Sequence, residues 1–246
     1  MCTIKYFNLT TAYLSSVPDF PRTLSRNCDA IDKKQQELLT RSHVAIVGCG
    51  GLGGYVAEEL ARIGVGCLSL FDPDFFSPSN CNRQLNALDT TLGKNKAEIT
   101  AARIKAMGTR CKPVAFPMDF NQKLRTIKEP VDLTIDCLDS IRARYQLADQ
   151  CNTLNIPMVH GAVFSWYGQV GVQLPGFHLP SILFPEKKEH IDNPEPPSVL
   201  SFTVATIASL QACEAVKLLL HLPSQLHNTW MTIDLKHNTF DIMEKP

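Results

Sequence analysis

Residues 43–84 read HVAIVGCGGLGGYVAEELARIGVGCLSLFDPDFFSPSNCNRQ. An apolar run at 44–47 leads into five glycines, and an amphipathic segment follows at 55–63. A second apolar run, 67–71, ends on Asp72. This order predicts a strand, a glycine turn, a helix, a second strand and an acid, the βαβ unit that holds nucleotide phosphates at a helix N-terminus. The alternative is a glycine turn that serves only the close packing of helix on strand.

Length and composition narrow the class of protein. A chain of 246 residues can bury a large core as one α/β domain. Lys plus Arg (24) equals Asp plus Glu (24), so the chain lacks the basic excess of a general nucleic-acid binder. The nine cysteines are odd in number and form no C-x-x-C pair. We therefore expect reduced thiols in a cytoplasmic protein, without a disulfide framework.

Two features bear on membranes. The N-terminus lacks the charged-then-apolar pattern of a signal peptide. The one long apolar stretch, 199–220, contains Gln211, Glu214 and Lys217. Those polar residues predict a buried or dimer-facing helix rather than a membrane span.

The rest of the chain predicts more helices and strands. Helical patterns occupy 22–40, with Asp29 as a possible cap, and also 92–107 and 142–154. Short apolar runs predict further strands at 114–116, 131–137 and 157–163.

The second half of the chain has a different sequence pattern. Residues 169–174 alternate like an antiparallel strand, and 229–234 with 239–243 predict a closing hairpin. Residues 176–198 are rich in proline and charge without periodicity, so we expect a surface loop that serves function. Residues 1–21 read as an N-terminal arm and 22–246 as a single domain.

Four polar motifs follow the glycine loop. They are Asp72-x-Asp74, Asn80-x-Asn82-Arg83-Gln84, Gly93-x-x-Lys96 and Asp136-x-x-Asp139. In a doubly wound sheet all four fall near the C-terminal edge of the strands, beside the glycine loop.

These motifs favour a triphosphate over a dinucleotide. Arg83, Lys96 and Asn80 supply more phosphate contacts than a diphosphate needs, and Asp139 suits a hydrated Mg²⁺ ion. Cations and a metal ion around a triphosphate are typical of sites that catalyse nucleotidyl transfer. Taken singly, Arg83 and Lys96 could be solvated surface charges, Asp72 fits an NAD ribose contact equally well, and Asp139 could be a helix cap.

Five motifs then carry a resemblance: GCGGLGG, DPD, SNCNRQ, LGKNKAE and DCLDS. In this order they resemble the ThiF/MoeB/HesA superfamily, the prokaryotic relatives of ubiquitin-activating enzymes. GQVGVQLPG and SLQACEAVKLL match the second half of that family, so the resemblance runs from about Arg22 to Met243. It implies an α/β fold, a Rossmann-like mixed β-sheet flanked by helices, usually in a homodimer.

The resemblance also implies a reaction. ATP and a C-terminal carboxylate give an acyl adenylate and pyrophosphate, and the usual substrate is the Gly-Gly tail of a small ubiquitin-like sulfur carrier. Because the attacking carboxylate is already ionised, the reaction requires charge neutralisation and alignment rather than a general base.

Site residues follow position by position from the same resemblance. The phosphate loop is shaped by Gly48, Gly50, Gly51 and Gly53. Asp72 holds the ribose, and Asp74 and Gln84 belong to the same nucleotide-binding set. Phosphate contacts are implied for Asn80, Arg83 and Lys96, and the Mg²⁺ position for Asp139. Arg26, in TLSRN, resembles an arginine lent to the ATP of the dimer partner.

The chain departs from the family in three places. Members with a structural zinc carry two C-x-x-C pairs, whereas here the matching segments FHLPSILFP and FDIMEKP have no cysteine, so we expect no zinc. Residues 176–198 lack the cysteine that forms a thioester or persulfide, so the reaction is expected to stop at the adenylate. The arm at 1–21 has no counterpart.

Three other functions stay open. The segments NRQLNAL and DSIRAR resemble a tRNA threonylcarbamoyladenosine dehydratase, which uses the same ATP site. A non-catalytic scaffold of the same fold is the second. A nicotinamide oxidoreductase is the third, and it leaves Arg83, Lys96 and Asp139 unexplained.

Overall fold

The computed structural model describes residues 21–185 and 198–243. Besides short 3-10 turns, its helices are α1 (Lys33–Arg41), α2 (Gly51–Ile63), α3 (Lys96–Ala106), α4 (Ile141–Leu154), α5 (Leu179–Leu183) and α6 (Ser201–Leu219). Its strands are β1 (His43–Val47), β2 (Cys67–Phe71), β3 (Lys112–Phe116), β4 (Leu133–Asp136), β5 (Met158–Phe164), β6 (Tyr167–Gln173), β7 (Thr229–Asp234) and β8 (Thr239–Ile242). The predicted N-terminal arm, except Pro21, and residues 186–197 of the predicted loop lie outside the described residues.

The strands form one mixed sheet in the order β3-β2-β1-β4-β5-β6-β7-β8. The strands from β3 across to β5 pair in parallel, and β6, β7 and β8 continue the sheet in antiparallel fashion. The chain reverses its direction of winding between β1 and β4, which is where doubly wound sheets bind ligands. The predicted α/β fold, a Rossmann-like mixed sheet flanked by helices, is confirmed.

The first strand shows why its sequence is continuously apolar. Val44 and Ile46 pack into the core shared with α2, α3 and α6, whereas Ala45 and Val47 pack against α4 on the other face. Because helices cover both faces of this part of the sheet, no position of β1 faces water.

Helix α6 is long and apolar enough, by length and composition alone, to cross a membrane. In the fold it packs on β4, β5, β6 and α2, and its buried residues include polar Gln211 and Glu214. Two glycines permit this approach, since a Cβ on Gly168 or on Gly161 would lie 2.3 Å from Ile207 or Gln211, respectively. Core packing accounts for the apolar composition, in line with the predicted buried helix.

The N-terminal helical pattern forms two elements instead of one. A 3-10 helix, Arg22–Asn27, precedes α1, whose cap is Asp32. Asp32 Oδ1 accepts a hydrogen bond from the Gln35 N–H (2.8 Å), and Gln35 Oε1 accepts one from the Asp32 N–H (3.0 Å). This capping box shows that the prediction of Asp29 as the cap is wrong.

Other helices also differ from the predictions. Helix α2 begins inside the glycine run, four residues before 55, and α3 begins at Lys96 rather than at 92. The later start of α3 follows from Gly93, at φ +74°, and from Asn95, whose Oδ1 accepts from the Glu98 N–H (3.1 Å). Helix α5 lies within the segment predicted to be a loop.

Candidate functional site

A cleft opens at the glycine turn between β1 and α2. Gly48 has φ +93°, a conformation that favours glycine, and its N–H donates to Phe71 O (2.8 Å). The Cys49 N–H donates to Asp72 Oδ2 (2.7 Å). Gly50 is the N-cap of α2 and has no side chain to cap the first N–H groups of the helix, and the residues Gly50, Gly51 and Leu52 line the cleft. Such a helix N-terminus attracts anions.

The four predicted loop glycines divide into two groups. Gly48, Gly50 and Gly51 line the cleft. Gly53 lies behind them, where a Cβ would stand 1.8 Å from Gly48 O. The packing interpretation therefore applies to Gly53, whereas the other three border the space that a phosphate would need.

The cleft encloses about 430 Å³, a volume suited to a small-molecule ligand. It lies at the carboxyl ends of β1, β2 and β4. Six of the predicted polar site residues line it: Asp72, Asp74, Arg83, Gln84, Lys96 and Asp139. The structure thus brings together most of a set that spans residues 48–139 of the sequence.

Asp72 is buried and already engaged by the backbone. Its Oδ2 accepts from the Cys49 N–H, and its Oδ1 accepts from the Asp74 N–H (2.8 Å). Burial raises the pKa of this carboxyl, and the two backbone hydrogen bonds oppose that rise. Each oxygen of an ionised carboxylate has a second acceptor site, so Asp72 can also accept from a ribose hydroxyl, as predicted.

Lys96 is a buried cation of the cleft. Its Nζ lies 3.1 Å from Asp74 Oδ2, and its backbone N–H donates to Asp74 O (2.9 Å). Asn95 Nδ2 adds hydrogen bonds to Asp72 O (3.0 Å) and Asp74 O (3.1 Å). Only 9% of Lys96 is exposed, so it is not a solvated surface charge.

Arg83 and Asn80 come from the same loop but occupy different places. Arg83 is half-buried at the cleft, and its Nη1 donates to Ser79 O (2.9 Å) and Asn82 Oδ1 (2.9 Å). Asn80 is buried away from the cleft lining, and its Oδ1 accepts from the Ser77 N–H (3.0 Å). Asn80 closes a local capping box, so the structure does not bring it to the position of its predicted phosphate contact.

Gln84 presents a polar atom that lacks a partner. The side chain is 8% exposed, and its Oε1 has no hydrogen-bond partner in the described part of the chain. A Cβ added to Gly50 would lie 3.3 Å from Gln84 Nε2, so the amide faces the phosphate turn. Buried polar groups are normally satisfied, and because this oxygen is an acceptor, a bound ligand would satisfy it through a donor such as a ribose hydroxyl rather than through a phosphate. The helix N-terminus with Arg83 and Lys96 fits a nucleotide phosphate chain, and the amide oxygen of Gln84 fits a hydroxyl or amino donor of the same ligand.

Asp139 is exposed at the mouth of the cleft. Ser140, rather than Asp139, caps α4, because its Oγ accepts from the Ala143 N–H (3.2 Å). Among residues 21–185 and 198–243 no three His, Cys, Asp or Glu side chains group together as metal ligands. Mg²⁺ usually takes only one or two carboxylates and relies on phosphate oxygens and water for the rest, and Asp139 fits that pattern.

Behind Asp139 lies a buried ionic cluster that the sequence did not predict. Asp136 Oδ2 lies 2.7 Å from His160 Nδ1 and 3.3 Å from Arg144 Nη1. Arg144 also donates to Leu138 O and to Gly161 O (2.8 Å). Burial would raise the pKa of Asp136, but Arg144 and His160 outweigh it and hold that pKa below its usual value. The cluster fixes the segment that ends in Asp139.

A second cavity of about 570 Å³ adjoins the cleft. It lies over the antiparallel part of the sheet, and we call it the strand groove. The groove and the cleft share Asp139, Arg144 and Val163. Its other walls come mostly from β5 to β8 and include Phe164, Tyr167, Gln169, Thr232, Asp234 and Asp241. The antiparallel alternation at 169–174 was the available signal, but it did not reveal a cavity.

Arg26 lies on the exposed side of the 3-10 helix Arg22–Asn27 and does not line the cleft of its own chain. Its predicted role toward a partner's ATP concerns a second protomer and stays a prediction.

The family model described as ThiF family matches residues 24–246. The chain belongs to the ThiF family. It is 33% identical over 217 residues to the SAMP-activating enzyme E1 of Haloferax volcanii, covering 87% of this chain and 80% of the relative. Identity to the molybdopterin-synthase adenylyltransferase of Haemophilus influenzae is 32% over 212 residues, covering 83% and 86%.

A third relative and a solved structure complete the comparison. The tRNA threonylcarbamoyladenosine dehydratase of Bacillus subtilis is 37% identical over 137 residues, which cover 55% of this chain and 54% of the relative. The crystal structure of E. coli MccB with ATP has a TM-score of 0.73 at 22% identity. The match covers 85% of this chain and 65% of MccB, and it shows the shared fold.

Proposed function

We propose that this ThiF-family chain adenylates the C-terminal carboxylate of a small ubiquitin-like sulfur-carrier protein, with ATP as the second substrate. One observation carries the proposal: the nucleotide cleft and the strand groove meet at Asp139, Arg144 and Val163. An extended tail lying in the groove would end beside the phosphates of a nucleotide in the cleft. The names of the Haloferax and Haemophilus relatives support the same chemistry.

The residues of the cleft supply alignment and charge neutralisation. The N-terminus of α2 receives phosphate oxygens, and Lys96 and Arg83 offset the charge that develops as pyrophosphate leaves. A carboxylate attacks without a general base, so the reaction requires no titrating base at this junction. Asp139 would hold Mg²⁺, which supplies further neutralisation of phosphate charge.

A homodimer and the role of Arg26 belong to the same proposal. If Arg26 acts on the partner's nucleotide, Arg26→Ala and Asp139→Ala protomers should each be inactive, but mixed dimers should regain part of the activity, because one of their two sites is complete. Failure of verified mixed dimers to recover would remove Arg26 from the site.

The tRNA dehydratase is the alternative substrate assignment. It is favoured by the Bacillus relative, although that match spans only about half of each chain. The equal numbers of basic and acidic residues argue against a tRNA surface, since tRNA binding relies on counterion release by Lys and Arg.

ATP–pyrophosphate exchange separates these possibilities. We expect exchange with a sulfur carrier that ends in Gly-Gly, and none with the same carrier after removal of its last two glycines or with tRNA. Arg83→Ala should lower the exchange rate by about 10²–10³, the effect of one lost charge-stabilising group. Conversion of threonylcarbamoyladenosine in tRNA would support the dehydratase. Exchange with neither substrate would support a scaffold.

A further inference from the structure

Asn82 links two segments that are 117 residues apart in the sequence. Its Nδ2 donates to Val199 O (3.0 Å), and its Oδ1 accepts from Arg83 Nη1 (2.9 Å). One exposed amide therefore joins a cation of the cleft to a residue two positions before α6. No role was predicted for this side chain.

Val199, at one end of this link, is held by the turn between β5 and β6. Val199 forms a bridge with Ser165 at the β5–β6 turn, and the Ser165 N–H donates to Ser198 O (2.8 Å). Thr203 Oγ1 donates to Ser165 O (2.8 Å), which ties the same turn to the first turn of α6. Val199 also lines the cleft, together with Val204 of α6. Asn82 is thus anchored on the wall of the nucleotide cleft.

At the other end of the link, hydrogen bonds restrict the orientation of the Arg83 guanidinium. Both of its contacts, to Asn82 Oδ1 and to Ser79 O, use Nη1. In the part of the chain that the structure describes, no acceptor contacts Arg83 Nε or Nη2, so that edge is available to a phosphate. An arginine side chain is entropically costly to order, and holding it beforehand reduces that cost when a ligand binds.

We propose that Asn82 is a positioning residue: it fixes Arg83 against the cleft wall at Val199, with the remaining guanidinium donors ready for the added phosphates of a nucleoside triphosphate. The inference rests on the proposed nucleotide site and deepens it. It implies that Asn82 discriminates triphosphate from monophosphate, because Arg83 is the group through which it acts.

The test is equilibrium binding of Mg²⁺–ATP and of AMP to the full chain, for wild type, Asn82→Ala, Arg83→Ala and the double variant. Asn82→Ala should weaken ATP binding about three- to tenfold, the effect of losing one pre-ordered side chain, and AMP binding less than twofold. In the Arg83→Ala background, Asn82→Ala should cause no further loss, since coupled residues are non-additive.

Asn152→Ala is the matched control. Asn152 also bridges two segments with both amide atoms, donating to Phe177 O (2.8 Å) and accepting from the Gly176 N–H (3.0 Å), but it lies outside the cleft. Asn152→Ala should leave the affinities for ATP and for AMP unchanged. Equal losses for ATP and AMP, additive effects with Arg83→Ala, or unchanged ATP binding would each overturn the proposal. Because no carrier is needed, tight ATP binding without exchange would reject the proposed function and leave this test intact.

Discussion

Gly53 lies so close to Gly48 that a Cβ on Gly53 would stand 1.8 Å from the Gly48 carbonyl oxygen. Real Cβ atoms do not approach that closely, and the neighbouring atom is backbone, which cannot rotate away. The start of α2 and the phosphate turn are therefore packed as one unit, with no room for a methyl group between them.

Two adjacent glycines of α2 should respond in opposite ways to alanine. Gly53→Ala should destabilise the fold by about 3 kcal/mol, the upper range for overpacking, and weaken ATP binding because the turn must move. At Gly54 a Cβ would meet Asn86 Nδ2 at 3.5 Å, an ordinary contact. Gly54→Ala should therefore stabilise by about 0.5–1 kcal/mol through helix propensity. Urea unfolding measures the change in the free energy of unfolding for both variants, and equal changes would contradict the packing argument.

Lys96 and Asp74 should differ in importance although they pair with each other. Lys96 is buried, whereas the Asp74 side chain is 66% exposed, so the ion pair itself contributes little to stability. Lys96→Met should lower carrier-dependent exchange by about 10²–10³ through loss of phosphate neutralisation. Asp74→Asn should lower it less than tenfold. Steady-state exchange assays check this, and similar losses in both variants would show that the pair acts as a unit.

Local chain order explains what could be predicted from the sequence. The glycine run, Asp72 and Lys96 stand next to element ends, and parallel strands bring those ends to one edge of the sheet. Helix boundaries were less predictable because they depend on capping, as at Asp32 and Asn95. The glycines pack α2 closely enough that the helix begins among them, four residues earlier than amphipathicity suggests.

Long-range partners explain what could not be predicted. Asp136 meets Arg144 and His160, 8 and 24 residues away, because α4 follows β4 and because β4 pairs with β5. The strand groove has the same origin, since its walls come from four strands that are far apart in the sequence. Asn80 shows the converse: its position in the loop motif suggested a ligand contact, but the side chain caps its own turn.

The buried and the exposed cysteines should differ sharply in their reactivity toward an alkylating reagent. Burial raises the pKa of Cys111 and of Cys151 to about 12, so at pH 8 only about 10⁻⁴ of each is thiolate. Cys81 and Cys213 are exposed. Iodoacetamide followed by mass spectrometry should modify Cys81 and Cys213 in the native protein and reach the buried pair only in urea. Native labelling of Cys111 or Cys151 at the rate of Cys81 would contradict this burial.

His160 should make the fold sensitive to mild acid. Burial lowers its pKa from 6.5, Arg144 lowers it further, and Asp136 only partly offsets both. The neutral ring donates from Nδ1 to Asp136 and accepts from Gln169 at Nε2 (3.2 Å). As the pH falls from 6.5 toward the lower pKa of His160 in the fold, the unfolded chain binds more protons than the folded chain, so the free energy of unfolding falls. Asp136 does not contribute in this range, because its lowered pKa matters only below its usual value of 3.8.

The difference in unfolding free energy between pH 7.5 and pH 5.5 measures this effect. A histidine that stayed neutral in the fold over the whole interval would contribute about 1.4 kcal/mol, which is the upper limit of the effect. His160→Asn should remove the contribution of His160, so the variant should lose less unfolding free energy than wild type on acidification, whatever its stability at pH 7.5. The same substitution at exposed His221 tests whether loss of any histidine has this effect. An identical pH dependence in wild type and His160→Asn would mean that His160 is protonated in the fold, which would make Asp136 the acceptor for two cations instead of one.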